Sequence, residues 1–87
     1  MYLHLGQGVV VPYRDVLGVF DLDNTSSSRL TRAFLERAER SGQVVNVWED
    51  LPKSFVLCRH GAEEPVVYLS QLSAATLLRR AENNSFE

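Results

Sequence analysis

The two aspartates of the segment Asp21-Leu22-Asp23-Asn24-Thr25 have a spacing that can support phosphoryl transfer. In a D-x-D-x-T pattern that follows an apolar strand, the first carboxylate attacks phosphorus and the second moves the proton of the leaving group. A bound Mg²⁺ screens the negative charges of such a site. Val19 and Phe20 supply the apolar residues before the motif, so the local match is good.

The remainder of the chain does not supply the partners that this chemistry needs. The pattern occurs in the haloacid-dehalogenase-type phosphatases, whose parallel sheet uses roughly 30 or more residues for each crossover unit. The chain has 87 residues, which leaves room for two such units after the motif. Its single lysine, Lys53, follows the acidic pair Glu49-Asp50, whereas the phosphatases need these groups in the opposite order. We therefore interpret Asp21 and Asp23 as residues that favour the positive N-terminus of the following helix.

Other catalytic and metal-binding patterns are also missing. The two histidines, His4 and His60, lie in different segments, and we expect surface roles for them rather than a shared metal. The single cysteine, Cys58, cannot form an internal disulfide and lies in an apolar strand, where it is expected to be a small buried hydrophobe. Gly6-Gln7-Gly8 lacks the third glycine and the helix of a dinucleotide-binding motif and predicts a turn. The sequence thus predicts no enzyme, no metal and no cofactor.

The length and composition indicate one small soluble domain. Hydrophobic residues make up 45% and charged residues 23% of the chain, as in ordinary folded proteins. We predict a single domain over residues 1–81 and a polar tail over residues 82–87. No signal peptide and no apolar stretch of about 20 residues are seen, which predicts a cytoplasmic protein without a membrane span. A core this small, with no disulfide, favours oligomerisation as a source of further burial.

Hydrophobic periodicity predicts an α+β domain with the element order βββ-α-βββ-α and an antiparallel or mixed sheet. A run of capping residues over 23–28 precedes the first helix, Gly42 ends that helix, and Ser70 or Ser73 can cap the second. The predicted strands are Tyr2–Leu5, Val9–Val11, Arg14–Asp21, Val44–Val47, Ser54–Cys58 and Val66–Leu69, and the predicted helices are Leu30–Arg40 and Ser73–Ala81.

The first predicted helix is amphipathic. At about 100° per residue its apolar side chains share one arc and its charged side chains the opposite arc, so the apolar arc should face the sheet. The apolar arc holds Leu30, Phe34, Leu35 and Ala38, and the charged arc holds Arg29, Arg32, Glu36, Glu39 and Arg40. Glu36 and Glu39 are spaced to form ion pairs with these arginines along the helix.

Across roughly residues 1–80 the chain resembles the RemA/RemB-type bacterial extracellular matrix regulators, and is closest to the RemB branch. Several segments occur in the same order and at similar spacing. They are Met1-Tyr2-Leu3-His4-Leu5-Gly6, Val9-Val10-Val11-Pro12, Gly18-Val19-Phe20-Asp21-Leu22-Asp23-Asn24-Thr25, Val45-Asn46-Val47, Leu51-Pro52-Lys53-Ser54-Phe55-Val56-Leu57 and Thr76-Leu77-Leu78-Arg79-Arg80.

The resemblance implies a cytoplasmic bacterial regulator that acts on transcription of matrix and biofilm genes. The RemA branch resembles a ring-shaped oligomer that binds repeated DNA sites and bends the duplex around its rim. On this resemblance Arg14 and Arg32 match basic positions of that branch. In the loop before the fifth strand the branch has adjacent arginines, whereas this chain has Leu51-Pro52-Lys53 and one positive charge.

We therefore expect a self-associating DNA-binding regulator whose contacts are to the phosphate backbone. The expected DNA-binding residues are Arg14, Arg32, Lys53 and Arg29, on one exposed face. The net charge of −2 does not favour a general nucleic-acid binder, but nine basic residues can form a local patch. Tyr2, Leu3, Val9 and Val11 are expected at the subunit interface. An oligomeric protein-interaction module without DNA contact is the alternative.

Overall fold

The computed structural model describes residues 1–22 and 29–84, and confirms the α+β class predicted from the sequence. Over these residues it has six strands, a short 3₁₀ turn and two helices, in the predicted order. In chain order they are β1 Tyr2–Gly6, β2 Val9–Pro12, the 3₁₀ turn Tyr13–Asp15, β3 Val16–Asp21, α1 Arg29–Arg40, β4 Val44–Asn46, β5 Ser54–Cys58, β6 Val66–Ser70 and α2 Ala74–Asn84.

The strands form a hairpin and a separate mixed sheet. Strands β1 and β2 pair antiparallel, and the turn between them has positive φ angles at Gly6, Gln7 and Gly8, which glycine adopts at little cost. The other four strands lie in the order β3-β5-β6-β4. Strands β3 and β6 flank β5 antiparallel, whereas β4 runs parallel to β6. The parallel pair requires a crossover, which residues 47–65 provide: this connection contains β5 and returns the chain to the end of the sheet where β4 begins.

Strand β5 shows why the domain has three layers. Its side chains alternate between the two faces of the sheet, and four of the five residues are buried. Val56 and Cys58 face a core that is completed by the β1–β2 hairpin and by Leu77 of α2. Phe55 faces the opposite side, where it packs in a smaller core with Ala38 of α1. The hairpin and α2 thus cover one face of the sheet and α1 covers the other.

Several element boundaries differ from the sequence prediction. Residues Tyr13–Asp15 form the 3₁₀ turn, so β3 begins at Val16 rather than at Arg14. Helix α2 continues to Asn84, beyond the predicted end at Ala81 and into the segment predicted as a polar tail. The predicted capping run over 23–28 and the tail residues 85–87 lie outside the described residues.

Two buried serines form hydrogen bonds that hold the hairpin and the loop after β6 against the sheet. Ser54 and Ser70 are opposite each other on β5 and β6, and both are 0% exposed. Ser70 Oγ donates to the carbonyl oxygen of Leu5 and accepts from the backbone N–H of Leu72, while Ser54 Oγ donates to the carbonyl oxygen of Leu72. Ser73 is the residue that caps α2, because its Oγ accepts from the N–H of Thr76 at 3.1 Å.

Candidate nucleic-acid interface

Arg14 lies in the 3₁₀ turn between the hairpin and the four-stranded sheet. The hairpin is tied to this turn by a hydrogen bond from Tyr13 N to the carbonyl oxygen of Met1. The Arg14 side chain is 88% exposed, and its Nε is 4.0 Å from Oδ1 of Asp15, at the outer limit of an ion pair. An ion pair this long and this exposed holds the guanidinium weakly. The guanidinium is therefore available to an anion in solution.

Asp15 is turned inward by hydrogen bonds that join the 3₁₀ turn, the β5–β6 loop and strand β6. Its Oδ2 is 2.8 Å from Nδ1 of His60, and Nε2 of His60 is 2.8 Å from the hydroxyl oxygen of Tyr68. A neutral imidazole satisfies both contacts when Nδ1–H donates to Asp15 and Nε2 accepts from Tyr68. The carboxylate beside Arg14 thus faces the protein, with its side chain only 16% exposed.

Burial shields two groups next to these hydrogen bonds from water, the Cys58 thiol and the Tyr68 hydroxyl. Burial raises the pKa of the Cys58 thiol to about 11, and the Asp15 carboxylate adds to the rise. The pKa of Tyr68 is also raised, first by burial and then by the negative charges of Cys58 and Asp15. The predicted burial of Cys58 is correct, because the residue is 0% exposed. Both groups stay neutral at physiological pH, and a thiol of this pKa is a poor nucleophile.

Lys53 lies at the other end of the same sheet. It precedes β5 directly, its carbonyl oxygen accepts from Leu22 N, and its N–H donates to the carbonyl oxygen of Ser70. The first half of α1, which carries Arg29 and Arg32, also lies towards this end, since Leu30 borders a groove with residues of β3 and β5. The side chains of Lys53, Arg29 and Arg32 are exposed. We call this the Lys53 end, and the opposite end the Arg14 end.

The structure does not bring all four predicted DNA-binding residues together. Val16 pairs with Cys58 at the Arg14 end, and Asp21 pairs with Ser54 at the Lys53 end. The six residues of β3 separate the two ends, which at ~3.3 Å per residue is roughly 20 Å. This span exceeds the ~12 Å width of the major groove of DNA. Contacts from both ends would therefore fall on different phosphates.

Two further arginines lie near the Arg14 end. The sequence did not indicate either of them as a site residue. Arg59 N donates to the carbonyl oxygen of Asp15 at 2.9 Å, and the Tyr13 hydroxyl donates to the carbonyl oxygen of Arg80 at 3.2 Å. Both arginine side chains are exposed. Their distance along the chain from Arg14 hides the proximity, which only strand pairing and helix docking create. No local sequence signal could have found this set.

The charged face of α1 is solvated rather than paired. Within the part of the chain that the structure describes, no arginine of α1 comes within 4.0 Å of a carboxylate of Glu36 or Glu39. The ion pairs that the spacing of this helix allows are therefore not formed. The exposed side chains of Arg29 and Arg32 are therefore available to an anionic partner.

The residues predicted for a subunit interface divide into two groups. Leu3 and Val11 are each 1% exposed and belong to the core of the domain itself. Tyr2 is 57% exposed on the outer side of the hairpin, and Val9 is partly buried. A subunit interface formed by folded domains cannot use Leu3 and Val11, because the hairpin already covers them.

The surroundings of Asp21 do not resemble a phosphatase site. Asp21 ends β3, an edge strand of the four-stranded sheet that pairs antiparallel with β5, whereas the phosphatase motif follows a parallel strand. The rest of the motif, residues 23–25, lies outside the described residues. Over residues 1–22 and 29–84, no group of three or more histidine, cysteine or carboxylate side chains could hold a metal ion. Neither described helix is long and apolar enough to span a bilayer.

Comparison with known proteins adds one relative. No family model matches the chain. The chain is 35% identical over 82 residues to extracellular matrix regulatory protein B of Bacillus subtilis (strain 168), and the matched segment covers 94% of this chain and 91% of the relative. The match extends over nearly the whole described domain, including both ends of the sheet.

Proposed function

The chain belongs to the RemB-type family of extracellular matrix regulatory proteins, and from this premise we propose that it is a cytoplasmic, non-enzymatic regulator of matrix and biofilm genes. It acts on transcription by binding the phosphate backbone of DNA as a self-associating, ring-shaped oligomer. Arg14, Arg29, Arg32 and Lys53 supply the contacts. Arginine offers a planar fork to phosphate oxygens and lysine a compact point charge.

The orientation of Asp15 is the observation that carries this proposal. A carboxylate next to Arg14 would repel a phosphate if it faced solvent. Its hydrogen bond to His60 and its 16% exposure turn it away, while the Arg14 side chain is 88% exposed. The turn therefore presents a cation outward and keeps the neighbouring anion inside the protein.

Self-association explains how a chain with a net charge of −2 can hold DNA. Phosphate contacts provide most of the affinity of such proteins, and four contacts in one subunit give weak binding. When several subunits present the same contacts, each later contact is intramolecular and the effective concentration rises. The roughly 20 Å between the Arg14 and Lys53 ends lets each subunit reach two separated phosphates.

Fluorescence anisotropy with DNA from a matrix-gene promoter, titrated over a range of salt concentrations, tests this proposal. Arg14→Ala and Lys53→Ala should each weaken binding by a similar factor on every DNA sequence and reduce the salt slope by ~1. Arg40→Ala is the matched control, because it removes the same charge from the far end of α1 and should change neither quantity.

A wild-type protein that assembles but does not bind DNA at low salt would contradict the proposal. So would an Arg14→Ala, Lys53→Ala double variant that remains assembled with full affinity. Either result would favour the alternative, an oligomeric protein-interaction module without DNA contact. The exposed apolar residues of α1 and of the β4–β5 loop are the observation in favour of that alternative, since Leu30 is 82% and Leu51 is 89% exposed.

A further inference from the structure

An apolar groove lies between the first half of α1 and the sheet. Its volume is about 290 Å³, and its lining is almost entirely apolar: Phe20, Leu30, Thr31, Phe34, Phe55 and Leu57. Leu30 is 82% exposed, Phe34 is 38% exposed and Phe20 is 37% exposed. The Phe20 ring stacks on Phe55 at 4.8 Å, so the floor of the groove is ordered.

The groove is open because α1 covers only part of its side of the sheet. Near the end of the helix, Ala38 packs on Phe55 and Val67, and all three are buried. Near its beginning, the apolar arc that the sequence predicts to face the sheet is left in solvent at Leu30. Aromatic and leucine side chains that converge on one groove form a contiguous apolar surface, which marks an interaction site.

A second apolar surface with the opposite charge lies on the loop between β4 and β5. Trp48 is 46% exposed and Leu51 is 89% exposed, and the acidic residues Glu49 and Asp50 lie between them. Pro52 limits the freedom of the chain just after Leu51. The loop therefore presents two apolar side chains on an acidic segment.

The charges around the groove have the opposite sign to those of the loop. Arg37 lies about one turn after Phe34 and lines, with Phe34, a second depression next to the groove, and Arg29 precedes Leu30. Because Leu30 and Leu51 are each more than 80% exposed, the loop does not fill the groove of its own subunit. An acidic loop with apolar anchors fits a basic, apolar groove on a second copy.

We propose that the β4–β5 loop of one copy docks in the α1 groove of the next, with Leu51 and Trp48 as anchors. The contact is head to tail, since the loop and the groove are different surfaces, and such contacts build closed rings or open filaments. This inference rests on the self-association in the proposed function and names the surfaces that produce it. The acidic residues of the loop lie against Arg37 of the neighbour.

The test is the mass of the purified full chain at micromolar concentration, measured by light scattering without DNA. The wild-type protein should exceed the 9.8 kDa of one subunit. Leu30→Glu should destroy the groove, and Leu51→Glu the loop, so each variant alone should be a monomer. An equimolar mixture of the two should form a heterodimer and nothing larger, because one intact groove and one intact loop remain.

The controls separate assembly from folding. Both leucines are exposed, so the variants should keep the circular dichroism spectrum and urea midpoint of the wild type. Leu78→Glu places the same charge on α2, where the leucine is 50% exposed, and should leave the assembly unchanged. Arg37→Glu should weaken self-association. Mixing this variant with an Asp50→Arg variant should restore the association, because the interacting charges are exchanged.

The other outcomes overturn the interface or the assembly separately. A wild-type monomer would refute self-association itself, and with it the ring in the proposed function. Wild-type assembly that survives both glutamate variants would refute only this interface. Dissociation by Leu30→Glu alone, without recovery in the mixture, would replace the head-to-tail contact by a two-fold contact between grooves.

Discussion

Replacing Ser70 by alanine should weaken the attachment of the β1–β2 hairpin to the four-stranded sheet. Leu5 lies at an irregularity of the hairpin, where the register passes from His4↔Val10 to Gly6↔Val9. A residue at such a bulge is left unpaired by the partner strand. The carbonyl oxygen of Leu5 accepts instead from Ser70 Oγ at 2.8 Å, and the same Oγ accepts from Leu72 N at 3.1 Å.

The expected loss follows from the groups that the variant leaves behind. A buried donor or acceptor without a partner costs ~1–3 kcal/mol. Ser70→Ala leaves one carbonyl and one N–H without a hydrogen-bond partner. We therefore expect a loss of about 2–4 kcal/mol in the free energy of unfolding. Ser54→Ala leaves only the carbonyl of Leu72 without this partner and should lower the free energy of unfolding by about 1–2 kcal/mol. These losses are large beside the ~5–15 kcal/mol stability of a typical domain.

Urea unfolding followed by the fluorescence of Trp48, the single tryptophan, measures these differences. With a slope of ~1–3 kcal/mol per molar urea, Ser70→Ala should lower the midpoint by about 0.7–4 M. Ser41→Ala is the control, because that serine is exposed after α1 and should leave the midpoint unchanged. A Ser70→Ala midpoint equal to that of the control would refute the role of this hydroxyl in holding the hairpin.

Three further changes test other contacts by the same urea assay. Burial raises the pKa of Cys58 to about 11 from its ordinary 9.0, and the unfolded thiol ionises first, so stability should fall from pH 9 to pH 11. Cys58→Ala should reduce this dependence of stability on pH. Equal slopes for the variant and the wild type would contradict the raised pKa of Cys58. Ser73→Ala should cost about 1 kcal/mol by exposing the N–H of Thr76, whereas Ser73→Asp should keep the cap. Gly18→Ala would place a Cβ 2.8 Å from the Phe20 ring and should cost ~1–3 kcal/mol, and Phe20→Ala in the same chain should recover part of that loss.

The sequence by itself determined the local elements, because their signals depend on near neighbours. The apolar run from Ser54 to Cys58 predicted β5 with the bounds that the structure has. The apolar spacing of α1 and the stop at Gly42, whose φ is 73°, predicted the first helix to within one residue. Order and spacing of short segments also identified the family. The exposure of Lys53 followed from its position in a loop, whereas Arg14 lies in a 3₁₀ turn that the sequence predicted as the start of a strand.

Only the tertiary structure decided which distant residues meet. Asp15 and His60 are 45 residues apart, and the 2.8 Å contact between them depends on the pairing of β3 with β5. The same pairing separates Arg14 from Lys53, which the sequence placed on one face. Periodicity shows that one side of α1 is apolar but not what covers it, so the open groove at Leu30 could not be predicted. Coverage depends on where a helix crosses a sheet, and that position is set by packing between elements rather than by the residues of either one.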